Sequence, residues 1–110
     1  MQIIRQYGLN GDKRALYNLV HDVGSNMTDL VGQRISVRAY ILMENTDSNG
    51  EIVRSLKVRT ADGDIIGTTS KAFINGFEEF CSCMESDEVT EFEIGSKKSK
   101  AGRPYIYFIA

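Results

Sequence analysis

Between Arg34 and Met43 apolar and polar positions alternate: Ile35, Val37, Ala39, Ile41 and Met43 fall on one side, and Arg34, Ser36, Arg38, Tyr40 and Leu42 on the other. A period of two marks a half-buried strand, because successive side chains leave a strand on opposite faces. Glu44-Asn45-Thr46-Asp47-Ser48-Asn49-Gly50 is a turn cluster. The second expected strand, Glu51–Thr60, sets Leu56 and Val58 against Ser55, Lys57 and Arg59. Asp62-Gly63 is a hairpin signal, since both residue types tolerate the positive φ that tight turns require. A third strand, Asp64–Thr69, follows directly and completes a meander.

The period then becomes helical. Phe73, Ile74, Phe77, Phe80, Cys81 and Met84 form one apolar stripe over Lys71–Met84, and Thr68-Thr69-Ser70 can supply the N-cap. Beyond Glu85-Ser86-Asp87-Glu88, a fourth strand points Thr90, Phe92 and Ile94 inward and Glu91 and Glu93 outward. The final strand places Ile106, Phe108 and Ala110 in the core and Tyr105, Tyr107 and Ile109 outside. Toward the N-terminus, Ala15, Leu16, Leu19, Val20 and Val23 recur at helical spacing from Lys13 to Val23, with Asp12 as cap and Gly24-Ser25-Asn26 as stop. Thr28–Gly32 resembles a single turn or a loop, and Met1–Gly11, interrupted at Gly8-Leu9-Asn10-Gly11, reads as an arm of uncertain order.

Three strands, a helix and a two-stranded hairpin is the element order of an OB-fold. The expected fold is therefore mainly β: a five-stranded barrel with one helix between its third and fourth strands, preceded by a short helical segment. Residues 1–24 are expected to be the arm and short helix, and residues 25–110 the barrel domain.

At 110 residues the chain suits one domain with its own core. No apolar run approaches the roughly 18 residues of a membrane span, and the start lacks the charged-then-apolar layout of a secretory signal. No membrane association is expected, and the expected location is a cytoplasm. Cys81 and Cys83 are too close for an ordinary disulfide and lack the C-x-x-C spacing of zinc or redox sites. With His21 the only histidine, a Cys/His zinc site lacks its ligands, and a Ser-His-Asp or Cys-His arrangement would rest entirely on that one residue, which reads as an ordinary surface or helix-end histidine. Neither a cofactor nor a metal is expected, and Cys81 reads as a buried apolar residue.

The net charge of −2 conceals an asymmetry. Residues 1–60 carry eight basic against six acidic side chains, residues 61–93 Lys71 alone against nine acids, and residues 94–110 four cations with no acid. A polyanionic partner stays open, because the local field of a cationic groove governs encounter more than net charge does. The last block carries the candidate chemistry. Lys97, Lys98, Lys100 and Arg103 lie in a glycine-bracketed loop that can offer charge to phosphates, and Tyr105 and Tyr107 share one face of the strand beyond it, where bases could stack. A solvated turn rich in Gly, Ser and Lys would read the same way. OB-folds commonly bind oligonucleotides on the outer face of the central strands and between the loops joining strands one to two and four to five. Strand parity adds Arg34, Arg38 and Tyr40 from the first strand and Lys57 and Arg59 from the second to that face.

Asp29-Leu30-Val31-Gly32 before a strand, Ala61-Asp62-Gly63 at a hairpin, Ser70-Lys71 opening a helix and Lys-rich Gly95–Arg103 before an aromatic strand recur in an order that resembles the small single-stranded-DNA-binding proteins of tailed bacteriophages of Gram-positive hosts. The resemblance covers about Ser25–Ala110. It implies a viral protein that coats single-stranded DNA displaced during phage DNA replication, in the host cytoplasm, without catalysis, with phage replication proteins as further partners. The ending Tyr-Ile-Tyr-Phe-Ile-Ala lacks the acidic tip that bacterial single-strand binders use for recruitment, so recruitment by such a tail is not expected.

Two other classes remain open. One is a protein-interaction module on the same barrel, which the acidic residues 85–93 would suit. The other is an RNA-binding module of the cold-shock kind, although Tyr40 is the only aromatic residue between Ile35 and Thr60. An enzyme is disfavoured: Glu85, Asp87, Glu88, Glu91 and Glu93 could hold Mg²⁺ in principle, but consecutive charges on a linker and an outer strand face are usually solvated.

Overall fold

A computed structural model describes all 110 residues. In chain order the elements are β1 (Gln2–Tyr7), α1 (Lys13–His21), β2 (Ser25–Asn26), a 3₁₀ turn (Met27–Leu30), β3 (Arg34–Thr46), β4 (Ile52–Thr60), β5 (Ile65–Thr68), α2 (Lys71–Met84), β6 (Glu91–Lys98) and β7 (Pro104–Ile109). The protein is mainly β, with a curled, half-barrel sheet and two helices. Its strand order is β2-β5-β4-β3-β6-β7, with β1 added to β3. Seven strands stand where five were expected, the additions being β1 and the two-residue β2. No helix is long and apolar enough to cross a membrane.

β3 is the spine of the sheet. One of its edges pairs with β4 from Val37 to Thr46, while the other holds β6 at Arg34–Ser36 and then β1 at Tyr40–Glu44. β1 thus covers ladder groups that β6 leaves behind, which would otherwise be a bare strand edge. Met1–Gly11 is therefore no loose arm. Its alternation is hidden by a register shift between Ile3 and Arg5, which puts Ile4 and Tyr7, three residues apart, on the same side of the sheet, opposite Ile3.

A second shift, between Val37 and Ala39, overturns the expected parity of the first strand. An extra residue in one strand of a pair reverses the facing of everything beyond it. Ile35 consequently shares the main core with Tyr40 and Leu42, while Ala39, Ile41 and Met43 face the opposite side. Tyr40, expected to point outward, is fully buried. Its hydroxyl donates to the Asp87 carbonyl at 2.5 Å, and its ring meets Phe77 edge-on at 4.8 Å.

α2 closes the main core. Ser70 Oγ accepts the Phe73 N–H at 3.3 Å, and Glu85 ends the helix in the left-handed conformation. Phe73, Ile74, Phe77 and Cys81 are buried as the stripe requires, each large side chain contributing about 2–3 kcal/mol of apolar burial. Met84, at the end of the expected stripe, is exposed. Phe108 of β7 reaches Phe73, Phe77, Phe80 and Phe92 at centroid distances of 5.4–5.8 Å. Phe92 and Ile94 point inward as expected, whereas Val89 rather than Thr90 fills the buried place before them, and Ala110 is exposed.

The opposite side of β3 carries a second, smaller core. Leu19 of α1 and Leu9 pack with Ala39, Ile41, Met43 and Ile65, flanked by Ile3, Ala15, Leu16 and Val20. α1 is capped as expected, Asp12 Oδ1 accepting the Arg14 and Ala15 N–H groups at 3.0 Å. Val23 lies beyond the helix and is exposed.

Candidate nucleic-acid interface

The cationic and aromatic residues expected on one outer face fall into three environments. Lys57 and Arg59 lie opposite Ile41 and Ala39 in the ladder and so share their face. That face is covered by α1. Lys57 is half-buried, and its ammonium donates to the Asp22 carbonyl at the end of the helix. Arg59, also half-buried, and Arg38, at the register shift, open instead onto a cleft beside α1. Tyr40 faces the main core and cannot stack on a base. The physical cause in each case is the N-terminal segment or the bulge, and neither is visible from strand parity.

Arg34 is outward as expected but already engaged, donating to Glu91 Oε1 at 2.9 Å and to the Ala110 carbonyl at 3.5 Å. Several acidic residues are likewise engaged. Asp87 binds Arg5 at 2.7 Å, while Glu78 of α2 and Glu44 of β3 share Arg54. The bond to Asp87 holds the Arg5 guanidinium pKa above its usual value despite partial desolvation. Burial raises the Cys81 thiol, and raises the neighbouring Tyr40 hydroxyl further, so both stay protonated at neutral pH. Cys81 is thus a buried thiol rather than an activated thiolate.

The β6–β7 hairpin is the third environment, and it brings the remaining site residues together. Lys97 lies opposite Tyr105, and Gly95 opposite Tyr107, on its outer face. The turn is closed by the Ser99 N–H to the Arg103 carbonyl and the Gly102 N–H to the Ser99 carbonyl, both at 2.8 Å. Lys97, Lys98, Lys100 and Arg103 are exposed and form no ion pair. The Tyr107 ring lies across Gly95, where a Cβ would come within 2.6 Å of Tyr107 Cε1, so this glycine makes room for the ring. Lys97 Nζ sits 4.6 Å from the centroid of the same ring. A base stacking on Tyr107 would displace this ammonium and free it for a phosphate. Tyr105 is 37% exposed and borders a cavity of about 260 Å³ shared with Thr28, Val31 and Ile106. An accessible ring, a second ring beneath the Lys97 ammonium and three further cations without ion pairs can grip a nucleic-acid strand by stacking and phosphate contact.

Sequence reasoning missed Asn10, Arg14 and Asn18, which line the cleft with Arg38 and Arg59. The signal available was weak: Arg14 and Asn18 stand four residues apart, on one polar flank of a helix whose apolar stripe is Ala15, Leu16 and Leu19. No protein-family model matches the chain, and neither a curated protein nor a solved structure is significantly similar to it.

Proposed function

We propose that the protein binds single-stranded DNA without catalysis, on an OB-fold barrel to which β1 and α1 are additions, and that it coats strands exposed during phage replication in the host cytoplasm. The observation that carries this reading is the β6–β7 hairpin, where Lys97, Lys98, Lys100 and Arg103 lack counter-ions beside the accessible Tyr105. Stacking on tyrosine is indifferent to base identity, and phosphate contacts read no sequence, so binding is largely sequence-independent. The outer face of β3 and β4 has no part in this reading, because α1 lies on it.

Fluorescence anisotropy with labelled oligo-dT, oligo-rU and a duplex of equal length, at two salt concentrations, tests it. Oligo-dT binding should weaken with salt at a log–log slope of about −0.7 per phosphate contacted, about −2 to −4 in all, and duplex should bind far more weakly. A preference for oligo-rU would point to RNA instead. Salt-independent affinity, equal binding of duplex, or no binding to any of the three would overturn the reading, the last in favour of a protein-interaction module.

A further inference from the structure

A second cationic site lies away from the hairpin, on the flank of α1. Arg14 of α1, Arg38 of β3 and Arg59 of β4 line one cleft of about 620 Å³, together with Asn10 and Asn18. None of the three guanidiniums forms an ion pair. Asp12 also lines the cleft, but its Oδ1 is held by the backbone N–H groups of Arg14 and Ala15. Asp22 and Asp64 stand in the adjoining depression on the far side of Arg59, and Asp22 Oδ1 accepts the Gly24 N–H at 2.8 Å. The cleft thus gathers three guanidiniums, none of them ion-paired, against the single carboxylate of Asp12.

The backbone around it is built for this approach. Gly8 has φ +80°, and a Cβ there would strike the Arg38 carbonyl, so only glycine lets the two segments meet. Asn10, two residues on, also has positive φ, at 51°. Arg38 stands where the β3–β4 register shifts, a distortion that re-aims side chains. Asn10, a non-glycine residue at positive φ, and the register shift at Arg38 thus both border the cleft.

We propose that this cleft binds a phosphate monoester, as carried by a nucleotide or by the 5′ end of a strand. A planar guanidinium presents paired N–H donors that match phosphate oxygens, and the amides of Asn10 and Asn18 can add donors. Three cations suit a doubly charged anion better than a single carboxylate. The cleft lies within the roughly 300–1,000 Å³ range of small-ligand sites, leaving room beyond a phosphate for the sugar and base. It is distinct from the hairpin site. Arg34 lies opposite Glu93, so Arg38 and Lys97 stand four residues away in opposite directions, about 25 Å apart along the ladder.

Amide chemical shifts of the full chain, titrated with inorganic phosphate, dTMP and thymidine, test the proposal. Phosphate and dTMP should shift Gly8–Asn10, Arg14 and Arg38, and thymidine should not. Arg38→Gln and Arg14→Gln should each weaken dTMP about tenfold or more with the unliganded melting temperature unchanged, since both side chains are exposed. The Lys97/Lys98/Lys100→Ala variant should bind dTMP like the wild type, which separates this site from DNA binding at the hairpin. Competition of dTMP with 5′-phosphorylated but not 5′-hydroxyl oligo-dT would identify a strand end as the source of the phosphate, and no competition a free nucleotide. The proposal is overturned if phosphate and dTMP leave these amides unmoved, if thymidine shifts them equally, or if both glutamine variants bind dTMP unchanged.

Discussion

The outer faces of β3–β4 and of β6–β7 begin from the same pattern, cationic and aromatic side chains alternating with core residues, and end in opposite states. On β3–β4 the face carries Ala39, Ile41 and Met43, which α1 covers through Leu19, and Lys57 is held by the end of that helix. On β6–β7 no element covers the outer face, and Gly95 sits where a larger residue would lift Tyr107 away. Alternation therefore tells that a strand has two faces, and tertiary structure decides which of them meets water. Here the deciding element was a nine-residue helix that sequence reasoning set outside the barrel.

The largest expected effects probe the packing that makes the two faces differ. Phe108→Ala empties the inner side of the hairpin and should cost about 3–5 kcal/mol of stability, measured by urea unfolding. Close behind, Leu19→Ala should cost about 2–5 kcal/mol, because its fully buried side chain fixes α1 over β3. A near-neutral Leu19→Ala would mean that α1 is only loosely seated, and the contrast between the faces would fail.

Tyr105→Ala is the counterpart on the bare face. It should weaken oligo-dT binding by about 1–3 kcal/mol, the worth of one stacked base, while the melting temperature barely moves. A markedly lowered melting temperature, with oligo-dT affinity unchanged at temperatures where the variant is still folded, would show that the outer face had been assigned inside out.

Tyr40→Phe should have a smaller effect, about 1 kcal/mol of stability, from losing the bond to the Asp87 carbonyl while the ring stays in place. It also carries a pH signature. Burial raises the Tyr40 and Cys81 pKa values in the folded state, so the unfolded chain loses these protons first. Their contribution is intact below the unfolded values, near pH 8.5 for Cys and 10 for Tyr, and stability falls as pH rises beyond them. Tyr40→Phe should flatten the decline above about pH 10, which urea midpoints across pH 8–11 would register.

Much of the architecture was legible. The helical stripe from Phe73 to Cys81, the β4 alternation of Leu56 and Val58, the Asp62-Gly63 turn and the hairpin parity of Ile106 and Phe108 all stand as the local pattern dictates. What was not legible has two physical sources. The register shifts at Arg38 and between Ile3 and Arg5 insert a residue without leaving a composition signal, so Tyr40 changed sides and β1 looked aperiodic. The covering of β3–β4 by α1 is a non-local contact, set by Leu9 and Leu19 finding Ile41 and Met43, and no window of sequence contains it. The site residues divided along the same line: the hairpin set could be read from one segment, whereas Arg34, Arg38, Lys57 and Arg59 depended on what else came to rest beside them.

The central claim, that the bare hairpin face carries the DNA strand and the covered face does not, is tested most directly by oligo-dT anisotropy on Lys97/Lys98/Lys100→Ala beside Lys57→Ala across a salt series. The triple variant should bind more weakly, with its log–log salt slope shallower by about 2 if each lysine meets one phosphate, and Lys57→Ala should match the wild type. A triple variant with unchanged affinity and slope, or a Lys57→Ala variant that loses binding while its fold stays intact, would contradict the account.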